Sequence, residues 1–237
     1  MAEYQVSPNV VATTPDQAAE RIGGFLRSVY GWMAVGLAIT ALTATAVAGS
    51  PAIIVAIAKN SLLFWGLIIA QFGIVIALSG RVDRMAASTA SALFIAYSVL
   101  TGMTMSFILL AYTGESVAST FVVTAGMFGA LAAFGTVTRK NLMGWGQFLF
   151  MGLIGVVLAS VVGIFWQNDA LQFATAFVGV VVFTGLTAYD AQRLKAMALA
   201  MPEGQAGSYA IVGALALYLD FVNLFLMLLR LFGGRRR

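Results

Sequence analysis

The sequence predicts an all-α membrane protein built as a bundle of seven transmembrane helices. Of its 237 residues, 61% are hydrophobic and only 9% are charged, whereas a soluble domain is nearer to about 25% charged. The mean hydropathy is +0.95. Apolar runs long enough to cross a bilayer, about 20 residues each, recur along the whole chain. The lipid bilayer is therefore the first expected partner, and no nucleic-acid partner is expected.

Two side-chain types are missing, and their absence limits the chemistry. The chain contains no cysteine and no histidine. This excludes disulfides, cysteine nucleophiles, thiolate metal sites and histidine chemistry. It also removes the side chain that most often titrates near neutral pH. Any response to pH must therefore come from carboxyl groups in unusual surroundings or from lysine, and we expect no resident cofactor.

The chain begins with a polar segment. Residues 1–24 include Pro8, Pro15, Asp16 and Glu20. They lack the basic start, apolar middle and small-residue cleavage site of a signal peptide. We predict a disordered cytoplasmic arm with a short helix near residues 15–21. A terminal arm of this kind is also a place where a partner protein can bind.

The apolar runs then predict seven spans in order. They cover residues 25–48, 62–79, 86–112, 116–137, 145–166, 171–190 and 208–231. The connections are short, so residues 25–232 are expected to form one domain, followed by a basic tail at residues 233–237. Glycine pairs such as Gly152 and Gly155, or Gly179 and Gly185, fit close helix packing in lipid.

Basic residues near the span ends predict the orientation, because cytoplasmic segments carry an excess of Lys and Arg. With the N terminus inside, the cytoplasmic segments hold Arg21, Arg27, Arg81, Arg84, Arg139, Lys140, Arg193 and Lys195. The outer segments hold Lys59, Arg230, Arg235, Arg236 and Arg237. The basic tail does not fit the N-in pattern, because seven spans place it outside. Either it is tolerated outside or the last span does not cross fully, and seven full spans are the prediction.

The last span, residues 213–230 (GALALYLDFVNLFLMLLR), carries Asp220 among apolar neighbours. An ionisable group at that depth costs at least a few kcal/mol, so it normally faces a protein interior or water and has a function. Asn223 lies three residues further on and shares the Asp220 face of a helix. The alternative interpretation is structural, with the aspartate hydrogen-bonding one helix to another or meeting a nearby arginine.

A second aspartate, Asp190, ends the preceding span. In the N-in orientation Asp190 lies at the cytoplasmic end, and Asp220 lies about 18 Å along the next helix at 1.5 Å per residue, so the two can meet. Two close carboxylates in a low dielectric cannot both ionise cheaply, and they share a proton. Protonated, they tie the two helices together; deprotonated, they repel each other or bind a cation.

This pair also predicts a weak, transient Ca²⁺ site. Oxygen ligands suit this ion, and Asp190, Asp220 and Asn223 with waters form a possible cation path. Arg81 closes the second span at the same face and is a candidate gating partner, the alternative being an anchor to lipid phosphate. Arg193 lies one turn beyond Asp190, where a local ion pair is the simple expectation.

Five stretches of the sequence resemble the Bax inhibitor family, also called the transmembrane Bax inhibitor motif family. The two specific ones are FTGLTAYDAQRLK at 183–195 and GALALYLDFVNLFLMLLRLFG at 213–233. The others are VYGWMAVGL at 29–37, LIIAQFGIVIALS at 67–79 and STFVVTAGMFGAL at 119–131.

The resemblance implies a seven-helix bundle whose last helix is surrounded by the other six, and a pH-sensitive Ca²⁺ leak across the membrane. It carries over Asp190 and Asp220 as the aspartate pair and suggests Arg81 as their basic partner, with Arg84 as the alternative. The likeness to bacterial members indicates a bacterial inner membrane. Some bacterial relatives look like modulators of a membrane-bound protease.

Three other functions compete with a leak channel. The first is a non-transporting protein that binds a membrane protease or stress factor. The second is an intramembrane aspartyl protease, but the Gly-x-Gly-Asp motif of such enzymes is missing, since Asp220 follows Leu217, Tyr218 and Leu219; we therefore expect no enzyme. The third is a proton-coupled transporter, against which the lack of an internal repeat weighs.

Overall fold

Eight α-helices and two short 3₁₀ helices make up the computed structural model, which describes residues 14–166, 168–202 and 204–236. The α-helices are α1 Pro15–Ala48, α2 Pro51–Lys59, α3 Ser61–Gly80, α4 Ala87–Ala111, α5 Gly114–Val137, α6 Gly146–Phe165, α7 Asp169–Ala200 and α8 Ala206–Phe232. The 3₁₀ helices are Val82–Arg84 and Met143–Trp145. Seven segments of the described chain, one around each α-helix except α2, are long and apolar enough to cross a membrane. The predicted seven-span all-α bundle is confirmed.

Helix α1 begins well before the first predicted span. Thr14 and Gln17 form a reciprocal cap, with the Gln17 amide donating to Thr14 Oγ1 at 3.3 Å and the Thr14 amide to Gln17 Oε1 at 3.0 Å. Pro15 takes the first helical position, where its missing N–H costs nothing. The short helix expected near residues 15–21 is thus the first part of α1. Residues 1–13 of the expected arm lie outside the described residues.

Helix α2 was not predicted. Its nine residues, Pro51–Lys59, are too few to cross a bilayer, and they fill the connection between the first two spans. Pro51 starts the helix, and Ile57 packs with Val47 and Leu67 at 1% exposure. A search for span-length apolar runs passes over such a segment.

Helix α7 is longer than predicted, and this changes the setting of Asp190. The sixth span was expected to end at residue 190, but α7 continues to Ala200. Ala191, Leu194 and Ala198 recur at helical spacing on a buried face, and the first proline comes only at 202. Asp190 therefore lies inside a helix and not at its end.

The last helix is central, as expected. Of the 18 most apolar consecutive residues in α8, 67% are buried. The corresponding share in the other six candidate spans is 11–39%. It packs against α1, α4, α5 and α7 and also contacts α3. Leu224 and Met227 of α8 share a buried cluster with Leu149 of α6.

The start of α1 and the segment that follows α8 lie on opposite faces of the bundle. Arg21 at the start of α1 donates to the carbonyl of Met201 at 2.9 Å, on the α7–α8 connection. After α8, the Thr113 amide donates to the Gly234 carbonyl and the Arg236 amide to the Ala111 carbonyl, each at 3.0 Å. We call these the N-terminal and C-terminal faces. Because its ends lie on different faces, α8 crosses the whole bundle, as the seven-span prediction required.

Candidate functional site

The two predicted aspartates lie inside the bundle at similar depth. Asp220 is 5% exposed and lies about 21 Å from the start of α8 at 1.5 Å per residue. Asp190, with a side chain 13% exposed, lies about 15 Å before the end of α7 by the same rule. Both distances run from the N-terminal face, and the two carboxyl groups are close neighbours. The structure brings the two predicted residues together.

Close packing of α7 against α8 positions the pair. On the N-terminal side, a Cβ added at Gly213 would lie 2.6 Å from Leu194 Cδ2. On the other side, a Cβ added at Gly179 would lie 2.7 Å from Met227 Cγ. Both distances are too short for a real side chain, so glycine lets the two helices approach above and below the aspartates.

The Asp220 side of the pair is short of hydrogen-bond donors. Two carboxylates can only accept, so a hydrogen bond between them requires a proton on one. Oδ2 of Asp220 is buried without a hydrogen-bond partner among the described residues. Leaving a buried acceptor unsatisfied costs about 1–3 kcal/mol, and more for a charged group. The arrangement therefore suits a shared proton or a bound cation.

Arg193 is the basic side chain next to the pair. Its Nη1 lies 3.6 Å from Asp190 Oδ1, three residues back on α7. The arginine side chain is 53% exposed, and an ion pair at this level of exposure contributes only about 0–1 kcal/mol. It reaches Asp190 from the N-terminal side and leaves Asp220 without a basic neighbour among the described residues.

Arg81 and Arg84 do not reach the aspartates. Both are exposed in the α3–α4 connection, and within the described ranges the ion pair of Asp190 is made by Arg193 alone. This connection is held to the start of α8 by a hydrogen bond from the Tyr209 hydroxyl to Asp83. The expectation that Arg81 or Arg84 meets the pair finds no contact here, so a gating role for Arg81 stays a prediction.

Asn223 and Gln192 use their side chains elsewhere. Asn223 Nδ2 donates to the carbonyl of Leu219, one turn back, at 2.8 Å. Gln192 holds the α5–α6 connection, accepting from the Leu142 amide at 2.7 Å and donating to the Lys140 carbonyl at 2.9 Å. A cation bound at the pair would therefore have only the two carboxylates as side-chain ligands. The described part of the chain contains no cluster of three acidic side chains.

A second buried polar cluster lies on another face of α8. Tyr218 is 0% exposed, and its hydroxyl lies 2.6 Å from Thr40 Oγ1 of α1. Thr40 donates onward to the Ser98 carbonyl of α4 at 2.9 Å, so the tyrosine hydroxyl donates to Thr40. Nearby, Thr101 donates to Gln71 Oε1 of α3 at 3.2 Å. The sequence signal for this cluster was the polar residues Thr40 and Gln71 inside apolar runs.

The hydroxyls of α4 mostly bond their own helix. Ser91 donates to the carbonyls of Ala87 and Ser88, and Ser98 donates to that of Phe94. Only Thr101 of the three reaches another helix. The Ser91 and Ser98 hydroxyls therefore bond the backbone of α4 and join it to no other described helix.

Known proteins resemble this chain over most of its length. The family described as "Inhibitor of apoptosis-promoting Bax1" matches residues 23–237. The inner membrane protein YbhL of Escherichia coli (strain K12) is 50% identical over 215 residues, which cover 90% of this chain and 92% of that protein. A protein of Borreliella burgdorferi is 43% identical over 214 residues, with 90% and 92% covered. One from Caulobacter vibrioides is 40% identical over 233 residues, with 90% and 89% covered.

Proposed function

Because the chain belongs to the Bax inhibitor family of membrane proteins, we propose that it is a pH-sensitive Ca²⁺ leak channel whose gate is the Asp190–Asp220 pair. We place it in a bacterial inner membrane, the location that the name of the Escherichia coli relative gives for that protein. The N terminus is cytoplasmic in this proposal, following the distribution of Lys and Arg. Ca²⁺ is the permeant ion and not a cofactor.

One observation carries the proposal: the buried carboxyl group of Asp220 lies next to the partly buried carboxyl group of Asp190 on the adjacent helix, and Asp220 Oδ2 has no donor among the described residues. With one proton, the pair forms a hydrogen bond that joins α7 to α8. Without it, two like charges oppose each other in a low dielectric, unless a cation enters. The contact between α7 and α8 therefore depends on proton concentration.

The same pair offers a passing Ca²⁺ a weak, transient site. Two carboxylates supply only part of the 6–8 oxygen ligands that Ca²⁺ takes, so water must supply the rest. Asn223 would have to release its bond to the Leu219 carbonyl before it joined them. A site this incomplete favours passage over storage.

The test is Ca²⁺ flux into liposomes that contain the purified protein, scanned from acid to neutral pH. Wild-type flux should change with pH around one midpoint. Asp190→Asn and Asp220→Asn should each shift or abolish the pH midpoint, because an amide carries no titratable proton and the remaining carboxyl no longer faces a second one. Asp169→Asn is the matched control, since this exposed aspartate in the first turn of α7 lies away from the pair.

Two arginine variants complete the experiment. If Arg81 gates the channel, Arg81→Gln shifts the pH midpoint and Arg193→Gln leaves it nearly unchanged. If Arg193 keeps its contact with Asp190 during gating, only Arg193→Gln shifts the pH midpoint. The shift should be less than about one pH unit, because the Arg193 side chain is half exposed. Wild-type pH dependence in both aspartate variants would refute the gate.

If no form of the protein conducts Ca²⁺ at any pH, the leak is not intrinsic, and the alternative is a non-transporting protein that binds a membrane protease or stress factor. The aspartates would then act as a structural latch. Deleting residues 1–13 tests the arm as the binding segment, because this deletion keeps Thr14 and the cap of α1. Loss of partner binding with normal folding would support the alternative.

An intramembrane aspartyl protease is the remote alternative. Asp220 follows Leu217, Tyr218 and Leu219, so the Gly-x-Gly-Asp motif of such enzymes is missing. We therefore propose no enzymatic activity. Cleavage of a membrane peptide that is lost in Asp220→Asn would contradict this.

A further inference from the structure

A groove of about 740 Å³ runs along one side of the bundle, away from the aspartate pair. Its floor is α8, and its walls come from α1, α4 and α5. Its lining includes Ala41, Ala118, Phe221, Phe225 and Arg236. At its edge, Phe121 is 44% and Val122 69% exposed. The groove therefore opens toward the side that faces lipid.

The groove is about as long as one leaflet of a bilayer is thick. Along α1 its lining runs from Leu37 to Gly49, which is about 18 Å at 1.5 Å per residue. The hydrocarbon core of a bilayer measures about 30 Å, so the groove covers slightly more than half of it. Its outer end lies at the C-terminal face, where α1 ends.

Arg236 lies at that outer end. Its backbone amide donates to the Ala111 carbonyl at 3.0 Å, and the Gly234 amide donates to Ser116 Oγ at 2.9 Å. The tail is thus fixed against the α4–α5 connection. The ion pair found in the described part of the chain joins Arg193 and Asp190, so no described acid neutralises Arg236. Glu115, the acidic residue in the first turn of α5, forms no ion pair with it.

We propose that this groove binds one phospholipid molecule, with an acyl chain lying along α8 and the phosphate on Arg236. The apolar lining matches an acyl chain, and the arginine lies at the depth of a headgroup, where a guanidinium forms charge-assisted hydrogen bonds to phosphate. The groove is distinct from the proposed ion route, because its lining comes from α1, α4, α5 and α8 and includes neither Asp190 nor Asp220. The proposal does not depend on the leak activity.

The experiment uses phosphatidylglycerol that carries a diazirine in the middle of one acyl chain. The full-length protein is reconstituted with this lipid, irradiated, digested and mapped by mass spectrometry. Labels should concentrate on the groove segments of α1, α5 and α8. Unlabelled phosphatidylglycerol should compete for these positions, whereas diacylglycerol, which has the same chains without the phosphate, should not.

Variants separate the two parts of the site. Arg236→Ala should lower groove labelling about fivefold, as expected for one arginine near a lipid surface, and Glu115→Gln should not lower it. Ala41→Trp with Ala118→Trp should block labelling by filling the groove from both walls. Leu42→Trp is the control, because Leu42 is 72% exposed and does not line the groove.

Three outcomes would overturn the proposal. Labels spread evenly over all exposed helices would indicate ordinary surrounding lipid. Equal effects of the groove and control tryptophans would mean that the groove is not occupied. Cross-links between two copies of the chain through the groove would show that a second protein molecule fills it instead.

Discussion

At the scale of single residues, Asp220 and Tyr218 show how one helix serves two purposes. The residues are two positions apart on α8, so they face different neighbours. Asp220 meets the acid of α7, and Tyr218 hydrogen-bonds to Thr40 of α1. The tyrosine ring also packs edge-on against Phe94 and Tyr97. The first contact joins two acidic side chains, and the second is a neutral bond that anchors α8 to α1.

We predict that Tyr218→Phe destabilises the protein without changing the pH dependence of flux. The substitution removes the hydroxyl next to Thr40 Oγ1, while Thr40 keeps its own bond to the Ser98 carbonyl. The cost should be about 1 kcal/mol, measured as the midpoint of unfolding in mixed detergent micelles.

Tyr30→Phe is the control for this variant, because it removes a hydroxyl from a half-buried ring elsewhere on α1. Equal stability of the two variants would show that the Tyr218–Thr40 bond contributes nothing. A lost pH response in Tyr218→Phe would show that the two faces of α8 are coupled.

At the scale of helices, local signals fix where the elements begin, and glycines fix how closely two of them approach. Thr14, Asn60, Thr113 and Asn168 each accept a hydrogen bond from the first turn of the following helix. Helices α5 and α7 then pack tightly at Gly135, where an added Cβ would collide with the carbonyl oxygen of Ala188. Ala188 lies two residues before Asp190, so this contact helps to position the aspartate.

We predict that Gly135→Ala destabilises the bundle by about 1–3 kcal/mol, because a backbone carbonyl cannot move aside as a side chain can. The pH midpoint of flux should shift as well, since α7 carries Asp190. Both changes can be measured on one preparation, by detergent unfolding and by liposome flux.

Gly126→Ala, on the same helix, is the matched control. A Cβ there meets nothing within 4 Å, and alanine is the better helix former. Stability should stay the same or rise slightly. Equal stability of Gly135→Ala and Gly126→Ala would show that α5 and α7 are not tightly packed at Gly135.

At the scale of the whole molecule, the start of α1 and the C-terminal tail mark two opposite faces, and the distribution of Lys and Arg predicts which face is cytoplasmic. The start of α1 lies with the α7–α8 connection, and the tail lies with the α4–α5 connection. Lys and Arg are more numerous at the N-terminal face, which predicts that it is cytoplasmic. The proposed lipid would then belong to the outer leaflet.

The absence of cysteine makes this orientation directly measurable. Glu20→Cys and Glu115→Cys each introduce a single thiol, at exposed positions on the N-terminal and C-terminal faces. A maleimide that cannot cross membranes should label residue 115 in intact spheroplasts, and residue 20 only after permeabilisation. The reverse pattern would contradict the N-in orientation and move the lipid site to the inner leaflet.

The sequence alone determined the class of fold, the seven spans and the presence of two aspartates in the last two of them. These features depend on the length of apolar runs and on the cost of placing a charge in lipid, both of which are local properties of the chain. The sequence also carried the N-terminal cap of α1 and the Arg193–Asp190 pair. Each of these two contacts joins residues only three apart in the sequence. The cap was nevertheless not predicted, because residues 1–24 were assigned to a disordered arm.

Tertiary structure alone decided which groups meet across the bundle. In the folded bundle Asp190 lies next to Asp220, and the Tyr218 hydroxyl hydrogen-bonds to Thr40. Arg81 lies at the surface, and a groove lies over α8. Tertiary structure also carried α7 past Asp190, which placed the aspartate inside the bundle. The physical reason is that helix neighbours are chosen by close packing between segments far apart in sequence. Glycine positions such as Gly135 allow that packing, but no single segment reveals which helix it will meet.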